Sequence, residues 1–359
     1  LYSSIAAIAS QFADISESTI VSPMGNGLIN QTFRIDCDKL SFVIQCINTQ
    51  VFPNPEYLML NLRQLQFHME QLQTTPVDLQ IPKLISTLDQ QLYFKDYAGN
   101  YWRALQLIQP AESRERLNNI SEAEQVGFAL AKFHSICSGL PTHLLHDTLP
   151  GFHITPSYFQ IYQTLINQSL DIKVNTEFHF CQRFIKNFEA EINILENAKS
   201  HGRLVERVIH GDPKLNNFLF APNTNKIIGL IDLDTVKPGL IHYDIGDCIR
   251  SCCHIMDSND FDMGYCQAIL TSYLKEAGHF LHNHDFDYLY PAIKLIPFEL
   301  GLRFFSDFLN GNRYFKIDDA EHNLRRAVAQ FELCQSINRQ QRIIEKMIAE
   351  LKNICLFEC

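Results

Sequence analysis

No C-x-x-C pair occurs among the 11 cysteines, so neither a zinc ribbon nor a thioredoxin-like redox pair is signalled. Cys248, Cys252 and Cys253 cluster beside His254. They lack the spaced tetrahedral donors of a structural zinc site and read as buried reduced thiols. An odd cysteine count without a framework of spacings excludes a disulfide scaffold and points to a reducing compartment. No apolar run reaches the ~18 residues of a membrane-spanning helix, and no secretory leader is visible after Leu1. A cytoplasmic protein without a membrane partner is expected. Basic residues are also in deficit: 30 Lys and Arg face 40 Asp and Glu, a net charge of −10. Nucleic acid needs a basic face, so it is not an expected partner. A magnesium nucleotide stays possible, because a metal and local amides offset phosphate charge.

What is present describes a folded protein: 46% hydrophobic and 19% charged residues over 359 positions, enough for two lobes. Apolar residues at helical spacing over residues 1–17 predict an opening helix. Strands follow at 18–22, 31–37 and 40–47, then a helix over 56–72 after Pro53 and Pro55, then strands at 81–88, 92–97 and 101–108. Beyond Pro110 the pattern turns helical, with helices over 122–137 and two more within 158–198. A strand at 207–210 and a hairpin of 218–220 with 227–233 interrupt it, and everything after about Asp260 is expected to be helical. The class is α+β: an N-terminal antiparallel sheet lobe over residues 1–108 and a mainly helical lobe over 109–359.

The chemistry concentrates in His210-Gly211-Asp212-Pro213-Lys214-Leu215-Asn216-Asn217, followed by Ile231-Asp232-Leu233-Asp234. Phosphoryl transfer needs one carboxylate facing the acceptor hydroxyl, and an amide oxygen with a second carboxylate to hold Mg²⁺. Asp212 precedes Asn217 by five residues, the spacing of a kinase catalytic loop. Asp232 ends the next apolar strand, where it can face the same metal, and hard oxygen donors suit Mg²⁺. A lone His-Gly-Asp is often a turn, and a strand end rich in Asp is often a solvated edge. Their joint order and spacing favour catalysis. No Asp-Phe-Gly and no Ala-Pro-Glu occurs, so a regulated activation segment is not signalled.

The pattern H-G-D-x-x-x-x-N followed by I-D-x-D resembles the aminoglycoside-phosphotransferase and choline-kinase superfamily, whose fold is protein-kinase-like and bilobal. The closer likeness is to N-acetylhexosamine 1-kinases. It is carried by Ile231–Gly239, Tyr243–Arg250, Glu299–Phe304, Gly311–Phe315 and Gly25–Phe33. The resemblance implies ATP and Mg²⁺ as cofactors, Asp212 as the catalytic or hydroxyl-orienting carboxylate, and Asn217 and Asp232 as metal ligands. It implies Gly25, Gly27, Asn30 and Thr32 at the nucleotide. Gly25-Asn26-Gly27 is either a phosphate loop or a simple β-turn. The third predicted strand has no Lys where a protein kinase places one; Gln45 stands there, able to donate a hydrogen bond but bringing no charge. The backbone at Gln106 to Ile108 either pairs with an adenine edge or is an ordinary strand end.

Three outcomes stay open for the acceptor: a sugar phosphorylated at its anomeric hydroxyl, with an N-acetylhexosamine first; another small alcohol of choline, homoserine or aminoglycoside type; or a catalytically silent kinase fold. Trp102 is the one Trp, so a quaternary ammonium cage would have to come from Tyr and Phe. Asp234 is a candidate second metal or substrate contact. Arg303 with Tyr314 offers the paired donors and stacking ring that a sugar needs, against a plain salt bridge and a core aromatic. Asp244 reads as a support for the catalytic loop.

Overall fold

The computed structural model describes residues 2–25, 29–38, 40–72, 79–168 and 174–357. Helix α1 (Tyr2–Ala9) leads into a six-stranded antiparallel sheet of β1 (Ile20–Pro23), β2 (Gln31–Asp36), β3 (Ser41–Cys46), β4 (Leu84–Ile85), β5 (Phe94–Lys95) and β6 (Tyr101–Gln106). Its order is β1-β2-β3-β6-β4, with β5 also on β6. Side chains alternate across the pleat. Phe33, Ile35, Phe42, Ile44, Trp102 and Ala104 bury one face, where Ile5, Ala9 and Phe12 pack on it. Thr32, Gln45 and Arg103 stand opposite one another in register, on the alternate face. α2 (Pro55–Gln71) starts on Pro55, whose fixed φ suits a first helical position. It buries Leu58, Leu62 and Leu65, and its Asn61 donates to the carbonyls of His146 and Val236 at 2.8 and 2.9 Å.

The second part is mainly helical: α3 (Ile120–Cys137), α4 (Thr155–Asn167), α5 (Thr176–Phe188), α6 (Ile194–Ser200), α7 (Ile241–Cys253), α8 (Met263–Ala277), α9 (Asn283–Asp287), α10 (Leu289–Leu309), α11 (His322–Arg339) and α12 (Gln341–Phe357). Short strands β7 (Glu112–Ser113), β8 (Arg207–Ile209), β9 (Phe218–Phe220), β10 (Ile227–Leu230) and β11 (Lys237–Gly239) pair β8 with β11 and set β9 between β10 and β7. An antiparallel sheet followed by a mainly helical part is the class expected.

Several details differ from expectation. The first helix stops at Ala9, and the strand expected over 81–88 shortens to Leu84–Ile85. Three helices occupy 158–198 rather than two. No helix is expected over 241–253, although Ile241, Ile245, Cys248, Ile249 and Cys252 recur at helical spacing; helix α7 buries its polar residues His242, Asp244 and Asp247 as well. Gly246 lets it approach α10, where a Cβ would meet the Ala292 carbonyl at 2.8 Å.

Candidate active site

Strand β8 delivers the chain to His210, Gly211 and Asp212. Gly211 has φ +86, and a Cβ there would meet the Thr235 carbonyl oxygen at 2.6 Å, so only glycine fits. Two carboxylates brace this turn from the helices. Asp244 on α7, fully buried, accepts from the backbone N–H of His210 at 2.7 Å and of Gly211 at 2.8 Å. It also bonds His134 Nε2 at 2.8 Å, and His134 Nδ1 meets the Tyr273 hydroxyl at 2.7 Å. Glu299 on α10 bonds His153 Nδ1 at 3.1 Å, and His153 Nε2 donates to the Gly211 carbonyl at 2.7 Å. Burial works against a charge on His153, but Glu299 outweighs it and raises its pKa. With an acceptor at each ring nitrogen, the imidazolium is the form that satisfies both. His210 is the opposite case: burial lowers its pKa. Its Nε2 donates to the Ile231 carbonyl at 3.0 Å and its Nδ1 accepts from the Asp212 N–H at 3.2 Å, as the neutral ring requires.

Asp212 emerges part-exposed, its Oδ2 paired with Lys214 Nζ. Burial opposes the lysine charge, yet Asp212 and Asp232 outweigh it and raise the Lys214 pKa. Asn217 Nδ2 donates to the Asp212 carbonyl at 2.7 Å, which leaves its side-chain oxygen for another partner. The Ile231 N–H donates to the Asn217 carbonyl at 2.9 Å, so Asn217 and Asp232 are brought side by side. Asp232 has φ +65, a left-handed conformation that Asp tolerates through its short polar side chain. Its carboxylate accepts no hydrogen bond among the described residues and opens on the cleft. Crowding strips part of its hydration even though the side chain keeps a face to solvent, and with repulsion from Asp234 and Asp212 this raises its pKa to about 7.

Among the described residues no group of three or more His, Cys, Asp or Glu is arranged to hold a metal. One carboxylate and one amide oxygen fit Mg²⁺ nonetheless, because that ion keeps waters and takes phosphate oxygens. Asp232 must lose its proton to bind it. Mg²⁺ affinity in the presence of nucleotide is therefore expected to fall as pH drops through about 7. Calorimetry across that range measures this, and a flat profile would count against Asp232 as a ligand.

On the sheet side, Gln45 Nε2 donates to Thr32 Oγ1 at 3.1 Å, and Gln45 Oε1 accepts from Arg103 Nε and Nη2 at 3.0 and 2.7 Å. Arg103, 2% exposed, also pairs through Nη2 with Asp234 Oδ1. Asp234 Oδ2 accepts from Asn30 Nδ2 at 2.7 Å, and Asn30 Oδ1 accepts from the Asn48 N–H at 2.9 Å. Asp234 thus faces Arg103 and Asn30 across the lobes instead of an open acceptor pocket. Gly25 has φ +72; Gly27 lies outside the described residues. The Gln106 N–H donates to the Lys83 carbonyl at 2.7 Å. The Ile108 backbone makes no hydrogen bond among the described residues, and its side chain lies against Gly229, where a Cβ would meet Ile108 Cδ1 at 3.0 Å.

On the helical side, Arg303 sits one turn after Glu299 on α10. Its guanidinium lies 5.1, 5.2 and 5.6 Å from the ring centres of Phe152, Tyr158 and Phe315. It makes no hydrogen bond among the described residues. Burial opposes its charge, but Tyr158, Glu299, Tyr314 and Asp212 outweigh it and raise its pKa; Arg303 therefore sits within electrostatic reach of Asp212. Tyr314 is half exposed, edge-on to Phe315 at 4.8 Å. Buried Asp307 fixes that loop by accepting from the N–H groups of Arg313, Tyr314 and Phe315, each at 2.9 Å.

Sequence reasoning does not single out Lys214, Arg103, His153 or Tyr158. Lys214 had a signal, two residues past Asp212. Arg103 had a weaker one, a lone charge within the apolar strand Tyr101-Trp102-Arg103-Ala104-Leu105. His153 and Tyr158 had none, since only folding carries them to the site.

The sequence matches the phosphotransferase enzyme family over residues 20–280. Solved structures of similar fold include a microcompartment-associated aminopropanol kinase, with TM-score 0.66 and 16% identity over 96% of this chain and 98% of that one. Another is an aminoglycoside phosphotransferase from Alicyclobacillus acidocaldarius, with TM-score 0.66 and 13% identity over 95% and 96% of the two chains. A spectinomycin phosphotransferase in complex with ADP and spectinomycin has TM-score 0.56 and 13% identity over 99% and 98%. No helix among the described residues is long and apolar enough to cross a membrane.

Proposed function

The chain belongs to the phosphotransferase enzyme family, and from that premise we propose that it transfers the γ-phosphoryl group of Mg-ATP to the anomeric hydroxyl of an N-acetylhexosamine. In this reading Asp212 orients the acceptor hydroxyl and takes its proton as the oxygen attacks phosphorus. Lys214, paired with Asp212, lies where phosphoryl charge gathers. Asn217 and Asp232 hold the metal, which when bound neutralises the phosphate oxygens. Gly25, Asn30 and Thr32 lie under the phosphates. The Ile108 backbone, unpaired beside Gly229, receives the adenine edge, with Gln106 completing the connection between lobes.

The acceptor assignment rests on one observation. Arg303 is held by three aromatic rings beside the catalytic carboxylate, and its donors carry no hydrogen bond among the described residues. A guanidinium fork so held offers paired donors in fixed geometry to ring hydroxyls or an acetamido carbonyl, with Tyr314 at the rim. The same observation disfavours a choline-type acceptor, because the aromatic faces that would cradle an ammonium already hold a cation. Asp234, buried against Arg103 and Asn30, acts on the phosphate side in this reading.

Arg303→Ala is expected to raise KM for the sugar by about 10- to 100-fold, the worth of hydrogen bonds to a charged group, with KM for ATP nearly unchanged. Phosphorus NMR of the product from N-acetylglucosamine or N-acetylgalactosamine is expected to show an anomeric phosphate. Phosphate at the 6-position, or turnover of an amino alcohol with no hexose reacting, would move the enzyme to the other small-alcohol class.

A further inference from the structure

The third strand carries Gln45 where a nucleotide-binding lysine is absent, yet a full positive charge stands beside it. Arg103 on β6 is the cross-strand partner of Gln45, and Gln45 Oε1 clamps its Nε and Nη2 at 3.0 and 2.7 Å. The guanidinium lies near the proposed metal carboxylate: it pairs with Asp234, two residues past Asp232. One side of the fork is unused. Arg103 Nη1 is buried and has no hydrogen-bond partner among the described residues. Leaving such a donor unmet is costly, and an apolar residue would pack this strand more cheaply than a buried ion pair. An orphaned donor of this kind calls for an acceptor that arrives from outside.

We propose that Arg103 is the nucleotide-phosphate cation of this enzyme, supplied from β6 in place of the lysine that β3 lacks. Nη1 takes an oxygen of the α- or β-phosphate, while Gln45 holds Nε and Nη2 and so fixes the plane of the fork. Asp234 neutralises the guanidinium until nucleotide binds and then shares it with the phosphates. Asn30, bonded to Asp234, links this pair to the loop that begins at Gly25. The inference rests on the phosphotransferase reading and adds to it a residue and a role.

Removing Arg103 alone would strand Asp234 in the interior, so the comparison uses a neutral background. Calorimetry compares the wild type, Asp234→Asn, and Arg103→Met combined with Asp234→Asn, each titrated with Mg-ADP and with adenosine. Asp234→Asn is expected to bind Mg-ADP at least as tightly as the wild type, since it frees the guanidinium. Adding Arg103→Met is expected to weaken Mg-ADP by at least about tenfold, the worth of one charge-assisted hydrogen bond, and to leave adenosine unchanged. Adding Gln45→Lys to that double variant is expected to recover much of the loss, because it puts a charge back on β3. Mg-ADP affinity within about twofold of the Asp234→Asn protein, a difference below 0.5 kcal/mol, would make Arg103 only a structural partner of Asp234 and overturn the inference. So would an equal loss for adenosine, or no recovery with Gln45→Lys, since either places the defect in packing. A wild type that binds no nucleotide at all would instead refute the phosphotransferase reading, an outcome that the variants cannot imitate.

Discussion

Asp212→Asn is expected to lower kcat by about 10²–10⁴-fold, the usual contribution of a positioned acid–base group, with nucleotide affinity close to that of the wild type. The side chain is part-exposed, and the one group paired with its charge is Lys214, whose flexible ammonium can turn to solvent or phosphate. The loop beneath it is held by other groups: Asp244 on the His210 and Gly211 amides, His153 on the Gly211 carbonyl, Asn217 on the Asp212 carbonyl. An amide at 212 therefore keeps the backbone in place and removes the carboxylate that would accept the proton. Steady-state kinetics with a separate measure of Mg-ADP binding distinguishes chemistry from fold. A kcat within about threefold of wild type, far below that contribution, would falsify the assignment of Asp212. Loss of nucleotide binding in parallel would show instead that the loop had moved.

The second large effect pairs a loss with a gain. Asp232→Asn is expected to abolish the Mg²⁺ dependence of nucleotide binding and, with it, turnover, because in the proposed site Asp232 is the one charged ligand of the metal. Asparagine tolerates the φ of +65 at this position, so backbone strain does not confuse the result as alanine would. Asn217→Ala removes a neutral ligand and is expected to weaken metal binding less. In the metal-free protein the same change is expected to stabilise the fold. The folded state raises the Asp232 pKa from 3.8 to about 7, so it binds that proton more tightly than the unfolded chain does. Stability from such a group is present at acid pH and is lost as pH rises through the interval up to the folded value. The variant escapes this loss. Its thermal midpoint without metal should exceed that of wild type at and above pH about 7, and the gap should close toward acid. Unchanged midpoints together with unchanged Mg²⁺ affinity would remove Asp232 from the site.

Much of this was open to reading before any fold was known, and the reason is local. The turn at His210–Asp212, the five-residue step to Asn217 and the strand ending at Asp232 lie within one short stretch of chain. Their geometry is dictated by a tight turn and a hairpin, so spacing carries the chemistry. The alternation of Phe33 and Ile35, or Phe42 and Ile44, likewise marks strands because the pleat repeats every two residues. The strand at Leu84–Ile85 is shorter than its apolar run because pairing with β6 extends over only two residues.

The spacing of Asp212, Asn217 and Asp232 and the order of sheet before helices were set by sequence-local constraints. The partnership of Gln45 and Arg103 was not: they are 58 residues apart and meet across strands, where register and pleat choose the partner. The cage around Arg303 draws Phe152 and Tyr158 from one segment and Phe315 from another, and packing of α10 against α4 brings them together. His153 braces the Gly211 carbonyl from 58 residues away, through a contact that no spacing along the chain encodes. Such through-space pairings depend on how elements dock, and docking is decided by the burial of the whole core rather than by any window of sequence.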